Sequence, residues 1–534
     1  MKRLRIVLPL AFGLLTVLSG VEAQGTPRLV VVLVVDQMRA DYLQTFARHW
    51  QGGFRTLLTE GAVFDNARYP YLDTLTCTGH TTIGTGALPH THGMVANTWW
   101  DREARRLVGC TNDPDATDIS YGRPARTGNS GKPILVPTLA DELRAQKPGA
   151  RVVSLSLKAR SAIGLAGHGG DAIVWFDDES GSFATSRAYA SEPVSAVKAF
   201  IDAHPYEKEN GTSWTLSAPA DSYVMRDAGV GERPPASWSG LFPHRLAGRN
   251  GADALFAQLW QASPRSDSYL EGLAESLIDS LSLGQRDTTD FLGISFSALD
   301  EVGHSFGPES REIEDVLRQL DVALQRLIAH LDAKVGRANY MLAISADHGV
   351  APIASAPLGG RIANEDVRER IEETLTGLFG PLERGSYVEA ANFTDVYLAP
   401  GVFDRLKASH TAMATLEQSL KTLPGIEHVL RSDRLSDKSS DVAVRSASLS
   451  YMSGRSGDLI LIPRKYWYFG GRAGGGTTHG TLHEYDQHVP FILFGGTTRH
   501  GHNRTAVTPA DIAPTLARFA GVRLPKAEGK AVVN

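Results

Sequence analysis

The chain has 534 residues, a formal net charge of −5, 42% hydrophobic residues and 21% charged residues. That length buries a large core and leaves room for more than one structural unit. The composition is that of an ordinary globular protein, and the mild acidity gives no electrostatic footprint for nucleic acid.

In chain order, the first feature is a targeting segment. Lys2, Arg3 and Arg5 form a positive start, IVLPLAFGLLTVL is an apolar run, and Val21-Glu22-Ala23 has the small-x-small form of a cleavage site. Residues 1–23 therefore read as a signal peptide cut after Ala23, which predicts a periplasmic or secreted protein. The apolar run is short for a membrane span and no later run is long enough. No stable membrane anchor is expected after cleavage.

Short, nearly continuous β-branched runs mark buried parallel strands at Leu29–Val35, Arg151–Leu155, Ala172–Phe176, Phe291–Ser297, Tyr340–Ser345, Asp458–Ile462 and Pro490–Phe494. Helical patterns lie between them, at Pro137–Ala145, Glu309–Leu331 and Asp511–Phe519, the last with Asp511 as N-cap. This alternation predicts an α/β fold with a mostly parallel central sheet flanked by helices. Residues about 190–285 and about 355–470 break the pattern and read as insertions capping the functional edge. The remainder of 24–534 reads as one catalytic domain.

Several metal-type ligands end these runs. Asp36 closes LVVVLVVD, Asp300 and His304 lie in FLGISFSALDEVGH, Asp347 and His348 end YMLAISADH, and His479 lies in GGGTTHGT. Carboxylate with imidazole suits zinc and similar ions, and strand carboxyl ends gather functional groups in such sheets. Asp300 and His304 would face one ion if a helix begins between them. Asp347 and His348 are adjacent, so their side chains are expected to diverge toward two ions, with Gly349 freeing the turn. Two ions roughly 4 Å apart can activate a nucleophile and hold a phosphoryl group.

The nucleophile candidates lie in TLTCTGHTT. Thr74, Thr76 and Thr78 are rivals, because a cation can stabilise any of their alkoxides. If a helix follows, its N-terminal amides would favour a phosphate there. Cys77 and Cys110 are the only two cysteines. Export permits a disulfide between them, which would brace this loop, but the sequence does not show that they meet.

The segment TLTCTGHTTIGTGALPHTHGMVANTWW, with VVDQMRADYL, SFSALDEVGHSFGP, SADHGV and THGTLHEYDQHVP, resembles the alkaline phosphatase superfamily, in its nucleotide pyrophosphatase/phosphodiesterase-like branch. Within that branch SLKARSAIGLAGH resembles the phosphate-irrepressible, PafA-like alkaline phosphatases. The resemblance spans residues about 28–522. It places Thr76, His80 and Asn97 in the family's register, which Thr74 and Thr78 do not fit. It implies Thr76 as nucleophile and Asn97 as a phosphoryl donor. It implies one zinc among Asp300, His304 and His479, and a second among Asp36, Asp347, His348 and Thr76. His479 is favoured over the nearby His483 and His488, of which His488 would support the loop. Lys158 and Arg160 match a Lys-x-Arg of the monoesterase subgroup. On an extended segment they would share one side and offer a point charge and a fork to phosphate oxygens.

These features predict a two-zinc phosphate monoesterase of broad range acting on small-molecule esters through a phosphothreonine. Three other readings compete with it. One is a phosphodiesterase or nucleotide pyrophosphatase with the same core. A sulfatase is opposed by Cys77-Thr78-Gly79-His80-Thr81, which lacks the Pro and Arg of the Cys-x-Pro-x-Arg signature. A metal-stabilised binding protein is opposed by ligands divided between two open sites rather than one saturated site.

Overall fold

A ten-stranded sheet organises the core. Its strands, in chain order, are β1 (Leu29–Val35), β2 (Ala62–Phe64), β3 (Asp118–Ser120), β4 (Val152–Ser156), β5 (Ala172–Asp177), β6 (Ser182–Ser186), β7 (Asp290–Phe296), β8 (Tyr340–Ser345), β9 (Phe491–Gly495) and β10 (Gly501–Asn503). Their spatial order is β10-β2-β9-β8-β1-β7-β4-β5-β6-β3. The computed structural model describes residues 25–354 and 359–532, so the expected signal segment lies outside the described residues. Among the described residues no helix is long and apolar enough to cross a membrane.

The five central strands, β8, β1, β7, β4 and β5, are mutually parallel. All seven residues of β1 are buried, which is why its sequence is continuously apolar rather than alternating. Helices cover both faces. The longest, Arg311–Lys334, is capped by Ser310, whose hydroxyl accepts from the Ile313 amide. It buries Ile313, Val316, Leu317, Leu320, Leu324, Leu327 and Leu331, each contributing roughly 1.5–3 kcal/mol of transfer free energy.

Two strand expectations need correction. β9 runs antiparallel to β8, because its chain enters from the opposite end of the sheet. Leu459–Pro463 is not in the central sheet. It pairs antiparallel with Asp395–Leu398 and Ile426–Arg431 in a separate four-stranded sheet. A buried apolar run does not reveal which sheet it joins. Asp511 does stand at the N-cap of the helix Ile512–Ala520, but its side chain makes no capping bond there and it also ends a 3-10 turn capped by Thr508.

The four-stranded sheet and its helices, including Asn364–Phe379 and His410–Lys421, form their own apolar cluster. This unit meets the main body at the loop before Thr76. Thr394 Oγ1 donates to Asp73 Oδ1 at 2.7 Å, the Leu72 and Asp73 amides donate to Ser450 Oγ, and Asn392 Nδ2 donates to Thr98 O at 2.8 Å.

Candidate active site

The parallel register aligns three strand ends. Val35 pairs with Phe296 of β7 and Val34 with Ser345 of β8. Asp36 thus stands beside the turns that carry Asp300 and Asp347. Asp300 lies in the first turn and His304 in the last of the helix Ala298–Phe306. One turn separates them, so both side chains share a face.

Three imidazoles converge here. His304 Nε2 is 3.2 Å and His479 Nε2 is 3.8 Å from Asp300 Oδ1. His348 Nε2 is 3.5 Å from Asp36 Oδ1 and 3.2 Å from Asp347 Oδ2. Each ring's Nδ1 donates to a backbone carbonyl: Thr477 O at 2.9 Å for His304, Gly349 O at 2.9 Å for His348 and Thr74 O at 2.8 Å for His479. A carbonyl only accepts, so Nδ1 carries the proton; wherever the ring is neutral its Nε2 lone pair aims inward, while burial opposes and the adjoining Asp300 favours the charged form of His304. Lone pairs facing carboxylates repel unless a cation lies between them. Asp36 Oδ1 and Asp347 Oδ2 are buried and accept no hydrogen bond from the described residues. This donor set fits divalent cations of the zinc class.

Ligand atoms lie within 4.8 Å of one another in two groups, Asp300 with His304 and His479, and Asp36 with Asp300 and His348. The first group is the expected one. In the second, Asp300 meets that spacing where Asp347 was expected, although Asp347 still contacts His348. Asp347 and His348 do not diverge. Their side chains converge, with His348 Nε2 3.2 Å from Asp347 Oδ2, because the chain bends at Asp347 after leaving β8. Gly349 is needed for close approach instead: a Cβ there would sit 2.1 Å from Tyr485 O.

Electrostatics follow from burial. Asp36 is pushed well above the usual carboxylate range by burial and by the Asp300 and Asp347 charges. His479 is pushed well below the usual imidazole range by burial, His348 and His304. Burial also lowers His348. Burial would raise Asp347, but His348 and His80 hold it low. An uncharged His479 and His348 are in the protonation state that binds a metal.

Thr76 opens the helix Thr76–Thr85, so its amide end faces the site. Its Oγ1 is 3.4 Å from His348 Nε2. Thr74 Oγ1 is engaged elsewhere, donating to Thr481 O. Thr78 Oγ1 is buried without a partner among the described residues. The helix approaches closely because residue 79 is glycine; a Cβ would lie 2.2 Å from Asp347 O. His80, one turn on, bonds Thr76 O at 2.9 Å and Ser295 Oγ at 2.7 Å. Cys77 is disulfide-bonded to Cys110. Asn97 Oδ1 accepts from the Cys77 amide at 2.8 Å, leaving its Nδ2 as the donor end. The bridge and this bond fix Asn97 against the turn that carries Thr76.

Lys158 Nζ lies among the carboxylates, 2.7 Å from Asp36 Oδ2 and in contact with Asp300 Oδ2. Burial opposes its charge, but Asp300 and Asp36 hold it above the usual ammonium range. Lys158 and Arg160 do not share an extended segment: Lys158 is the last extended residue, and Arg160 lies inside the helix Ala159–Ala166. Arg160 makes no ion pair or hydrogen bond with the described residues, and its Nε is buried. His483 and His488 lie outside the cluster, bonded to Pro463 O and Asp65 O.

The sequence reading missed Gln37, which donates from its amide nitrogen to Asp347 Oδ1 at 3.1 Å and from Nε2 to Asp300 Oδ1. Its only signal was a polar residue directly after a strand-ending aspartate.

The family model described as type I phosphodiesterase / nucleotide pyrophosphatase matches residues 30–486. The chain belongs to this family. It is 30% identical to alkaline phosphatase PafA of Elizabethkingia meningoseptica, with 98% of each chain covered. It is 31% identical to alkaline phosphatase PhoV of Synechococcus elongatus, covering 96% of this chain and 94% of that one. The crystal structure of wild-type PafA matches with a TM-score of 0.86, covering 96% of this chain and 99% of the other. Murine ectonucleotide pyrophosphatase / phosphodiesterase 5, at 15% identity and a TM-score of 0.53, shares the fold. The protein is therefore an enzyme, a phosphoesterase of this family, and not a binding protein held by a structural metal.

Proposed function

We propose that the protein is an exported phosphate monoesterase that holds two zinc ions and works through a phosphothreonine at Thr76. The observation that carries this reading is the convergence of three backbone-locked imidazoles and unbonded carboxylate oxygens beside the Thr76 hydroxyl. Asp300, His304 and His479 would hold one ion, and Asp36, Asp347, His348 and Thr76 the other. Bound there, the pair supplies positive charge for the nucleophile, the phosphoryl oxygens and the leaving oxygen.

The chain's own residues do the rest. Thr76 Oγ gives its proton to solvent water and attacks phosphorus in line, forming an Oγ–P bond as the bond to the alcohol oxygen breaks, and that oxygen takes a proton back from water. Water then attacks the phosphothreonine, cleaving Oγ–P and releasing inorganic phosphate. The helix N-terminus at Thr76 and the Asn97 amide orient the phosphoryl oxygens. Lys158 and Arg160 add charge where a monoester carries more of it than a diester. The signal-like segment 1–23 and the Cys77–Cys110 bridge support export.

A phosphodiesterase is the second reading, favoured by the description of the family itself. Turnover of an aryl monophosphate beside its methyl diester separates the two. Faster monoester hydrolysis is expected, and faster diester cleavage reverses the assignment.

A further inference from the structure

Gln37 is a neutral residue that meets both halves of the ligand cluster. It is 1% exposed and its backbone is left-handed, with φ of 70°. Few side chains other than glycine, asparagine and aspartate adopt that conformation without strain. A glycine would turn the chain out of β1 more easily, so the amide side chain sits here at a local cost.

Its bonds show what is gained. The backbone amide donates to Asp347 Oδ1 at 3.1 Å, and Nε2 donates to Asp300 Oδ1. Asp347 contacts His348, while Asp300 contacts His304 and His479. One residue therefore spans both carboxylates, each of which belongs to a different expected ion. The helix that carries Asp300 is shaped around it: a Cβ on Gly303 would lie 1.8 Å from Gln37 Oε1. Asp300 has an adjoining cation in Lys158, but Gln37 is the donor on the oxygen that faces His304 and His479.

We infer that Gln37 is a positioning residue that fixes the orientation of the Asp300 carboxylate relative to Asp347, and so sets metal affinity in the half holding Asp300, His304 and His479. It is buried against the ligand carboxylates. The inference rests on the two-metal reading above. A hydrogen bond to a ligating carboxylate restricts its rotation and tempers its basicity, and loss of such support typically weakens metal binding 10- to 100-fold.

The test is zinc binding by the full mature chain, followed by competition with a colorimetric chelator, together with thermal unfolding. Gln37→Ala removes the amide, Gln37→Gly also relieves the backbone, and Gln37→Glu keeps the shape while setting a carboxylate against Asp300. The wild type is expected to bind two equivalents. In the Ala and Gly variants one equivalent should weaken by about 10- to 100-fold, with the other unchanged. Gln37→Glu should weaken it further. Because the Gly variant is unstrained, it remains a folded test even if Gln37→Ala is not. Two equivalents at wild-type affinity in the Gly variant overturn the inference and leave the two-metal reading standing. A wild type that binds no zinc overturns that reading instead, and the inference with it.

Discussion

Two sets of buried carboxylates in this molecule look alike by burial and behave as opposites. On the long helix Arg311–Lys334, Glu314 accepts from the Val224 and Met225 amides and from His49. Asp315 accepts from Trp214 Nε1 at 2.7 Å and from the Ser217 amide at 2.8 Å. Asp321 accepts from the Gln51, Gly52 and Phe54 amides. These acids are filled by donors from chain segments distant in sequence, and they pin those segments to the core. At the strand ends, Asp36 and Asp347 are equally buried, yet each has an oxygen with no hydrogen bond from the described residues, and both of those oxygens face His348 Nε2. Burial of an acid therefore does not mark a functional site; the chemistry of what faces it does.

The largest expected effect follows from the strand-end set. Thr76→Ala should lose at least about three decades of kcat on an aryl monophosphate while retaining zinc and fold. Thr76→Ser should keep far more, because the hydroxyl remains beside His348. Acid-quenched protein should carry phosphate on residue 76. Phosphate on Thr74 or Thr78 would assign the nucleophile elsewhere.

Next comes selectivity. The double variant Lys158→Ala/Arg160→Ala should lose roughly two to four decades of monoester kcat/KM, from two charge-assisted contacts of about 1.5–3 kcal/mol each that are only partly additive. Diester hydrolysis should fall much less. Equal losses on both substrates would point to the carboxylates that Lys158 now neutralises, rather than to phosphate recognition. The single Arg160→Ala variant separates these, since Arg160 bonds no described residue.

The helix set predicts a different failure. Asp315→Ala strands the Trp214 and Ser217 donors in the interior, at a cost of about 2–4 kcal/mol. Denaturant unfolding should record that loss, while zinc content and kcat per folded molecule stay at wild-type values. A drop in zinc content would merge the two classes and break the comparison.

The central strands were legible because both faces of β1, β7 and β8 are buried, leaving continuous apolar runs that each stop at a polar end. Asp36, Asp300 and Asp347 were visible for the same reason. Strand direction and sheet membership were not: Phe491–Gly495 and Leu459–Pro463 are as apolar as the parallel strands, and pairing is decided by tertiary contacts. Adjacent Asp347 and His348 could not be resolved either, since their convergence depends on backbone dihedrals that residue type does not fix. Choosing Thr76 over Thr74 needed the family register. The structure adds that Thr74 is spent on a carbonyl. Gln37 acts through Asp300 and Asp347, the first 263 and the second 310 residues away, so nothing local distinguishes it.

The smallest effect concerns a third way of keeping a buried acid, by a proton. Asp73, three residues before Thr76, and Asp395, on the four-stranded sheet, lie where the two units meet. Burial raises Asp73 to about 6, opposed by hydrogen bonds from Thr394 and Ser450. Burial and then the Asp73 charge raise Asp395 to about 8, opposed by the Gly457 amide and Arg102, while Asp458 adds to the rise. Both folded values exceed the unfolded one, so the folded chain binds more protons across that window. Stability from this pair is therefore full at low pH, falls as pH rises from about 4 to about 8, and is lost above it. Asp395→Asn cannot ionise and keeps an oxygen for the Gly457 amide. Its melting temperature relative to the wild type should be roughly 2–4 °C higher near about pH 9 than near about pH 5, as read by thermal melts of the zinc-loaded protein. The same offset at both pH values would mean that Asp395 is ionised throughout. In that case the Gly457 amide satisfies it as a donor and the Arg102 charge supports it, as the helix acids are satisfied, and only two classes of buried carboxylate remain.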